Sequence, residues 1–254
     1  MDGVLSQEEI NALLNNNDAA DSSDEILTES EKDAIGEIAN ISMGTAATTL
    51  FSLVNRRVEI STPVVSFSNW DKIVDEYEKP CVFIKIGYTQ GLNGSNILVL
   101  KEKDVKIITD LMMGGDGTNI NGEIGELHLS AISEAMNQMM GSSATSLSSM
   151  LNRTIDISPP IAEVVDLKNT LNEGEIDSFL SEEFVKISFH MEIGDLVDSE
   201  IMQLYPPAFV KEMCKGVSQN MELDTQSVTE DVPQSSNTAT QAAPIQQPQD
   251  SGSM

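Results

Sequence analysis

The sequence predicts an α/β domain with pseudo-two-fold symmetry, built from one duplicated unit and flanked by disordered ends. The first observation is an internal repeat: residues 33–63 align without a gap on residues 130–160, and 15 of the 31 aligned residues are identical. Composition alone would give about two or three identities. The second observation is that two strand-like segments around a turn, and then a short amphipathic segment, follow each copy. The duplicated unit is therefore helix, strand, hairpin and short helix.

Local signals place the elements of this unit. A capping box, Thr28 with Glu31, predicts the start of a long helix that continues to about Val54. The segment RRVEISTPVV then alternates in the manner of a strand, and Pro63 belongs at its edge or end because proline has no amide to donate. The other predicted elements are the hairpins 81–88 with 95–100 and 184–193 with 199–206, and the short helices 102–113 and 207–217. The repeats cover about 28–120 and 121–217, in one domain of residues 28–217.

Small and apolar residues at helical spacing predict the buried face of each long helix. In the first copy these residues are Ile35, Ile38, Ala39, Ser42 and Ala46. In the second copy they are Ile132, Ala135, Met136, Met139 and Ser143.

The net charge of −27, from 41 acidic and 14 basic residues, excludes nucleic acid as a partner because phosphate repels such a surface. A basic or mixed-charge protein is the natural partner. Two cysteines and two histidines are scattered without metal-ligand spacing, so neither a disulfide framework nor a metal site is expected. Phosphate-binding loops and the HExxH and GxSxG motifs are absent from the sequence, so no cofactor of its own is expected.

The hydropathy pattern predicts a cytoplasmic protein without membrane insertion. No apolar run approaches the roughly 18 residues of a membrane span. The first residues lack the basic start and apolar stretch of a signal peptide.

The pattern of residues 1–17 predicts a short amphipathic helix that begins with a second capping box. A helix this short is marginal alone, so it is expected to form in the groove of a partner protein. A disordered leader with accidental periodicity is the alternative. Residues 18–27 are predicted to be an acidic linker, and residues 218–254, rich in Gln, Ser and Pro, a disordered tail. The residues expected to contact the partner are Leu5, Ser6, Gln7, Glu8, Glu9, Ile10, Leu13 and Leu14.

The candidate chemistry lies on the repeated helix. Residues three and four apart share a helix face, so Asp33, Glu37 and Asn40 line up. A carboxylate can bind a cation of a partner or act as a base, and an amide can orient a water molecule. The second copy repeats the arrangement with Ser130, Glu134 and Asn137.

A solvated helix face is the alternative interpretation of each Glu-x-x-Asn pattern. Solvated positions should diverge first after a duplication. The Glu and Asn nevertheless agree between the copies, whereas core neighbours such as Ala39 and Met136 differ. This contrast favours a functional role. Gly44 and Gly141 fall one turn beyond each asparagine, where a partner could approach closely.

The pattern [DS]xxxExxN, followed by 22 residues and a proline, occurs twice and resembles the CheC, CheX and FliY group of response-regulator phosphatases. The opening SQEEINALL resembles the peptide by which flagellar switch proteins of the FliM and FliY type capture phosphorylated CheY. The two features together point to the FliY branch of the group.

The resemblance implies a CheC-like fold and hydrolysis of the aspartyl phosphate of CheY. Asn40 and Asn137 would position the attacking water, and Glu37 and Glu134 would hold a lysine of CheY. The magnesium ion would be carried by CheY. Secondary contacts, capping or shaping of the neighbouring strand are implied for Asp33, Ser130, Pro63 and Pro160.

The resemblance also implies a place at the flagellar motor switch, with FliM, FliG and FliN as further partners and a peripheral location at the basal body on the inner face of the membrane. FliY-type proteins end in a FliN-like domain, and the tail here stops where that domain should begin. A chain lacking that domain is therefore expected, either truncated or working apart from the switch ring. The alternative function is a non-catalytic switch component or adaptor that binds phosphorylated CheY.

Overall fold

The computed structural model of the chain describes residues 26–76, 80–167, 174 and 176–227. Its helices are α1 (Glu29–Val54), α2 (Trp70–Glu76), α3 (Glu102–Met112), α4 (Glu126–Met150) and α5 (Pro207–Ser227), with a 3-10 turn at Ser178–Ser181. Its strands are β1 (Val58–Ile60), β2 (Val64–Ser68), β3 (Cys81–Gln90), β4 (Gly94–Lys101), β5 (Asp156–Ile157), β6 (Ile161–Val165), β7 (Phe184–Ile193) and β8 (Val197–Tyr205). The predicted α/β class and the duplicated unit are confirmed.

The two units exchange their strands. The hairpins β3–β4 and β7–β8 meet through β4 and β8 at the centre of one antiparallel sheet. Strands β1 and β2 of the first unit pair with β7 of the second, and β5 and β6 of the second unit pair with β3 of the first. Each unit therefore completes the sheet of the other, so neither could form this sheet alone.

Two serines at equivalent positions stabilise this exchange of strands by hydrogen bonds. Ser61 donates its amide to the His190 carbonyl at 2.9 Å, and its Oγ accepts from the His190 amide at 3.0 Å. Ser158 donates its amide to the Gly87 carbonyl at 2.8 Å, and its Oγ accepts from the Gly87 amide at 3.2 Å. The repeat thus extends to individual hydrogen bonds between the units.

The long helices cover one face of the sheet. Helices α1 and α4 pack against each other, and Thr49 Oγ1 lies 2.8 Å from Ser142 Oγ between them. All ten predicted core residues of the two helices are buried. A smaller core on the opposite face includes Trp70 and Ile73 of α2 and Leu180 of the 3-10 turn.

Two local predictions need correction, and one helix was not predicted. The predicted strand RRVEISTPVV is two strands, β1 and β2, because the chain leaves the ladder around Pro63; the second copy breaks in the same way. Helix α2 was not predicted; it starts where Asn69 Oδ1 accepts the Lys72 amide at 3.0 Å. Helix α5 runs to Ser227, so residues 218–227 are helical and not disordered as predicted.

Other predictions concern the ends of the chain. The predicted peptide 1–17 and most of the linker 18–27 lie outside the described residues, as do residues 228–254. Within the part of the chain that the structure describes, no helix is both long and apolar enough to cross a bilayer.

Candidate functional site

The start of α1 fixes where the candidate residues point. Thr28 is the N-cap predicted from the sequence: its amide donates to Glu31 Oε2 at 2.9 Å, and its Oγ1 accepts the Glu31 amide at 3.2 Å. The reciprocal bonds stabilise the first turn, by roughly 1 kcal/mol for a cap of this kind. The buried residues of α1 face the sheet, and Asp33, Glu37 and Asn40 therefore face solvent.

The first copy forms a cleft of about 380 Å³ between α1 and the segment that joins β1 to β2. Its lining contains all four residues that the sequence predicted for this copy, namely Asp33, Glu37, Asn40 and Pro63. Glu37 and Asn40 are exposed, and Pro63 is half-buried on the opposite wall. The structure thus brings together residues that are more than 20 positions apart in the sequence.

Helix α1 and strand β2 lie side by side behind the cleft. A Cβ added at Gly36 would lie 3.7 Å from Val65 Cγ2 of β2, which is ordinary van der Waals contact. Strand β2 is itself fixed by its ladder with β7, in which Val65 pairs with Ile187. The second unit therefore positions one wall of the first unit's cleft.

Among the lining residues of this cleft that the sequence did not predict, Lys32 is the basic one. Its ammonium lies 5.2 Å from the centre of the Phe67 ring and forms an ion pair with Glu29. The available signal was a lysine one turn before Gly36, in a chain with only 14 basic residues. Lys32 places positive charge at the rim of an otherwise acidic cleft, and its counterpart in the second copy is Leu129.

The second copy places Ser130, Glu134 and Asn137 on the same face of α4. Ser130 and Glu134 are exposed, Asn137 is half-buried, and Pro160 is buried. Glu134 Oε1 accepts a hydrogen bond of 2.7 Å from Gln138 Nε2. Ile41 stands at that position in the first copy and cannot make such a bond.

Gly44 and Gly141, each four residues after its asparagine, have no steric role inside the domain. A Cβ built at Gly44 or at Gly141 would meet nothing within 4 Å. Glycine within a helix costs about 0.5–1 kcal/mol relative to alanine, so internal packing does not account for its presence in both copies. Open space one turn beyond the amide instead suits the close approach of another molecule.

The described residues offer no metal centre: no group of three or more His, Cys, Asp or Glu side chains among them could hold a metal ion. What the cleft presents is an exposed carboxamide with a carboxylate one turn before it on a rigid helix. Such an arrangement can orient a water molecule and bind a cationic side chain.

The duplicated fold, with a long helix and a strand repeated in each half, is that of a class of proteins, the CheC-like family. The model of this family matches residues 31–67 and 127–164, the two copies of helix and strand described above. The chain belongs to the CheC-like family.

Particular relatives narrow the comparison. The flagellar motor switch phosphatase FliY of Bacillus subtilis is 47% identical over 218 residues, which cover 84% of this chain and 57% of that protein. The crystal structure of Thermotoga maritima FliY superposes with a TM-score of 0.71 at 40% identity and covers 77% of this chain and 99% of that one. The CheY-P phosphatase CheC of Bacillus subtilis is 24% identical over 54% of this chain and 67% of its own length. The chain therefore spans little more than half the length of the Bacillus FliY.

Proposed function

We propose that this protein hydrolyses the aspartyl phosphate of the response regulator CheY, with one site in each unit. The observation that carries the proposal is the cleft of the first copy, where Glu37, Asn40 and Pro63 meet although the sequence separates them. The names of the Bacillus relatives, a flagellar motor switch phosphatase and a CheY-P phosphatase, support the same activity.

The exposed residues of the cleft suit this reaction. Phosphoryl transfer depends mainly on positioning and on compensation of charge, and less on covalent chemistry by the enzyme. The carboxamide of Asn40 donates and accepts hydrogen bonds, so it can orient a water molecule in line with the phosphoryl group. Glu37, one turn before it, can bind a lysine of the partner and so fix the partner's orientation. The magnesium ion that compensates the phosphate charge is expected on CheY.

Asp33 and Pro63 support these two residues. Asp33 continues the same helix face one turn before Glu37, and Pro63 forms the facing wall. In the second unit Ser130, Glu134, Asn137 and Pro160 have the corresponding roles.

We also propose that the protein acts at or near the flagellar motor switch on the cytoplasmic side of the membrane. The name of the Bacillus FliY supports this location. Contacts with FliM, FliG or FliN belong to the same proposal, as does capture of phosphorylated CheY through residues 1–17.

The test is phosphate release from CheY phosphorylated by a small phosphodonor. The variant Asn40→Ala/Asn137→Ala is expected to reduce the added rate by at least about 100-fold, because the water loses its positioning group at both sites. The matched control is Asn93→Ala/Asn121→Ala, which removes two exposed amides from loops outside the site. Full activity of the site variant would contradict the roles proposed for Asn40 and Asn137. No added release by the unaltered protein, with CheY binding retained, would show that the domain is a non-catalytic adaptor.

A further inference from the structure

Each long helix carries a strip of residues that runs from its Glu and Asn toward its C-terminal half, and half of the α4 strip is partly buried. Residues three or four apart fall on one helix face, so the members of each strip are neighbours. The α1 strip consists of Glu37, Asn40, Ile41, Gly44, Thr48 and Phe51, all exposed. The α4 strip consists of the counterparts Glu134, Asn137, Gln138, Gly141, Thr145 and Ser148.

The two strips differ in apolar character. On the α1 strip the side chains of Ile41 and Phe51 are 41% and 48% exposed, one on each side of the open position Gly44. Their counterparts on the α4 strip are polar, Gln138 and Ser148. Large apolar side chains grouped on one exposed face are typical of contact surfaces, and aromatic residues are enriched among those that dominate binding.

A groove of about 610 Å³ lies beside the apolar part of the α1 strip. Helix α1 contributes Gly44, Ala47, Thr48 and Phe51 to its lining, and residues 57–61 line the other side. Polar and charged groups surround it: Arg57 pairs with Glu59, and His190 Nε2 lies 3.1 Å from Glu192 Oε1. An apolar centre with a polar rim is the usual anatomy of a protein interface.

This groove continues the cleft of the first site. The cleft is lined by α1 up to Asn40 and by Thr62, Pro63 and Val65. The groove is lined by α1 from Gly44 and by residues 57–61. Gly44 lies where the two meet. A protein seated on Asn40 therefore extends over Gly44 toward Phe51.

The equivalent polar residues of the second unit are engaged in local bonds. Gln138 holds the Glu134 carboxylate at 2.7 Å, in competition with a cation of a partner. Ser148 Oγ donates to the Ala144 carbonyl at 2.8 Å and accepts the Ile155 amide at 2.9 Å. Ser148 thus maintains the end of α4, and no large apolar side chain replaces Phe51.

We infer that phosphorylated CheY docks preferentially on the first unit, and that Ile41 and Phe51 are the residues that set this preference. The inference rests on the proposed function and adds the surface by which the substrate protein chooses between the sites. The second site, with Gln138 on its Glu134, is the weaker docking site.

Single-site proteins test this preference. Asn137→Ala leaves the first site and Asn40→Ala leaves the second, and KM and kcat for phosphate release are measured for each with phosphorylated CheY. The first-site protein is expected to have the lower KM. Adding Ile41→Gln and Phe51→Ser to it should raise KM about tenfold while kcat stays within about twofold, because only uniform binding is lost. Adding Gln138→Ile to the second-site protein should lower its KM.

The control is Val64→Ser in the first-site protein. Val64 is 65% exposed but alternates with Val65 on β2, so it points away from α1. An unchanged KM after the Ile41 and Phe51 substitutions, or an equal rise with Val64→Ser, overturns the inference. If Phe51→Ser changes only the oligomeric state in analytical ultracentrifugation, the groove binds a second copy of the chain and the inference also fails. Failure of the proposed function would look different, because neither single-site protein would then release phosphate above the spontaneous rate.

Discussion

The two units agree at the residues proposed for catalysis and differ around them. Glu37 and Asn40 have identical counterparts in Glu134 and Asn137, and a glycine with open space follows each pair. Nearby, Lys32 corresponds to Leu129. A reaction that needs one arrangement of amide and carboxylate constrains both copies equally, whereas contacts with the partner protein need not be the same at both sites.

The strands behind the two sites are held by equivalent hydrogen bonds, but their residues are buried to different extents. Ser61 is exposed where it binds His190, whereas Ser158 is half-buried where it binds Gly87. Pro63 is half-buried and Pro160 fully buried. The duplicated hydrogen bonds preserve the exchange of strands, while the second unit encloses its strand more tightly. The comparison thus separates what the fold requires from what a partner requires.

After the asparagines, the largest effect is expected at the glycines. Alanine fits at Gly44 and Gly141 without a clash, and each substitution should raise the free energy of unfolding by about 0.5–1 kcal/mol. Phosphate release by the corresponding single-site protein should nevertheless fall, about tenfold for Gly44→Ala, because a partner displaced by one methyl group no longer presents its phosphate correctly. Urea unfolding and the release assay measure the two effects.

Ser149→Ala on the exposed face of α4 is the control for the glycine substitutions. It exchanges one small residue of a helix for alanine outside either strip, so the release rate should not change. An unchanged rate for Gly44→Ala would mean that the partner does not approach this position closely. The glycine found in both units would then not indicate a common mode of docking.

A smaller effect is expected from the serines that join the units. Ser158→Ala leaves the half-buried Gly87 amide without its 3.2 Å acceptor and should lower the free energy of unfolding by about 1 kcal/mol. Ser61→Ala should cost less, because water can reach the His190 amide on the exposed side. Urea unfolding gives both values, and hydrogen exchange at the amides of Gly87 and His190 locates the change. A larger cost at Ser61 would contradict the difference in enclosure.

Local signals account for what the sequence predicted. The cap at Thr28, the helical period of the buried residues and the turn between β3 and β4 all act over a few residues, and each was predicted correctly. The repeat added the equivalence of the two halves. Together these signals were sufficient for the class of fold and for the set of residues on the exposed helix face.

Most features that were not predicted depend on contacts between residues that are far apart in the sequence. Both units contain strands that could pair within their own half, and no local signal says that β2 pairs with β7 of the other unit. Helix α2 has seven residues, too few to show a period. Lys32 escaped notice because its role depends on Phe67, a residue of a strand that folds back beside α1. The repetition thus predicted the candidate residues, including Pro63, but not the strand pairing that places β2 beside α1.

The smallest effect concerns a buried position where the units differ, Cys81. Its register in the sheet makes it the counterpart of Phe184, since Cys81 pairs with Val165 as Phe184 pairs with Ser68. Burial raises the pKa of the Cys81 thiol from 9.0 to about 11, and the same holds for Cys214. Because the pKa is higher in the folded state than in the unfolded state, the protonated thiols favour folding below about pH 9. This contribution is lost as the pH rises toward about 11.

Both thiols should therefore be slow to react with a disulfide reagent at pH 8 in the folded protein, since the thiolate is scarce and enclosed, and fast in urea. The free energy of unfolding should fall between about pH 9 and about pH 11, and less steeply in Cys81→Val, which keeps an apolar side chain at this position. Rapid labelling of Cys81 without urea would mean that the core on the face opposite α1 opens readily. That core contains residues of both β3 and β7, such as Phe83 and Phe184. Because β3 carries β5 and β6 and β7 carries β1 and β2, such opening would weaken both sites.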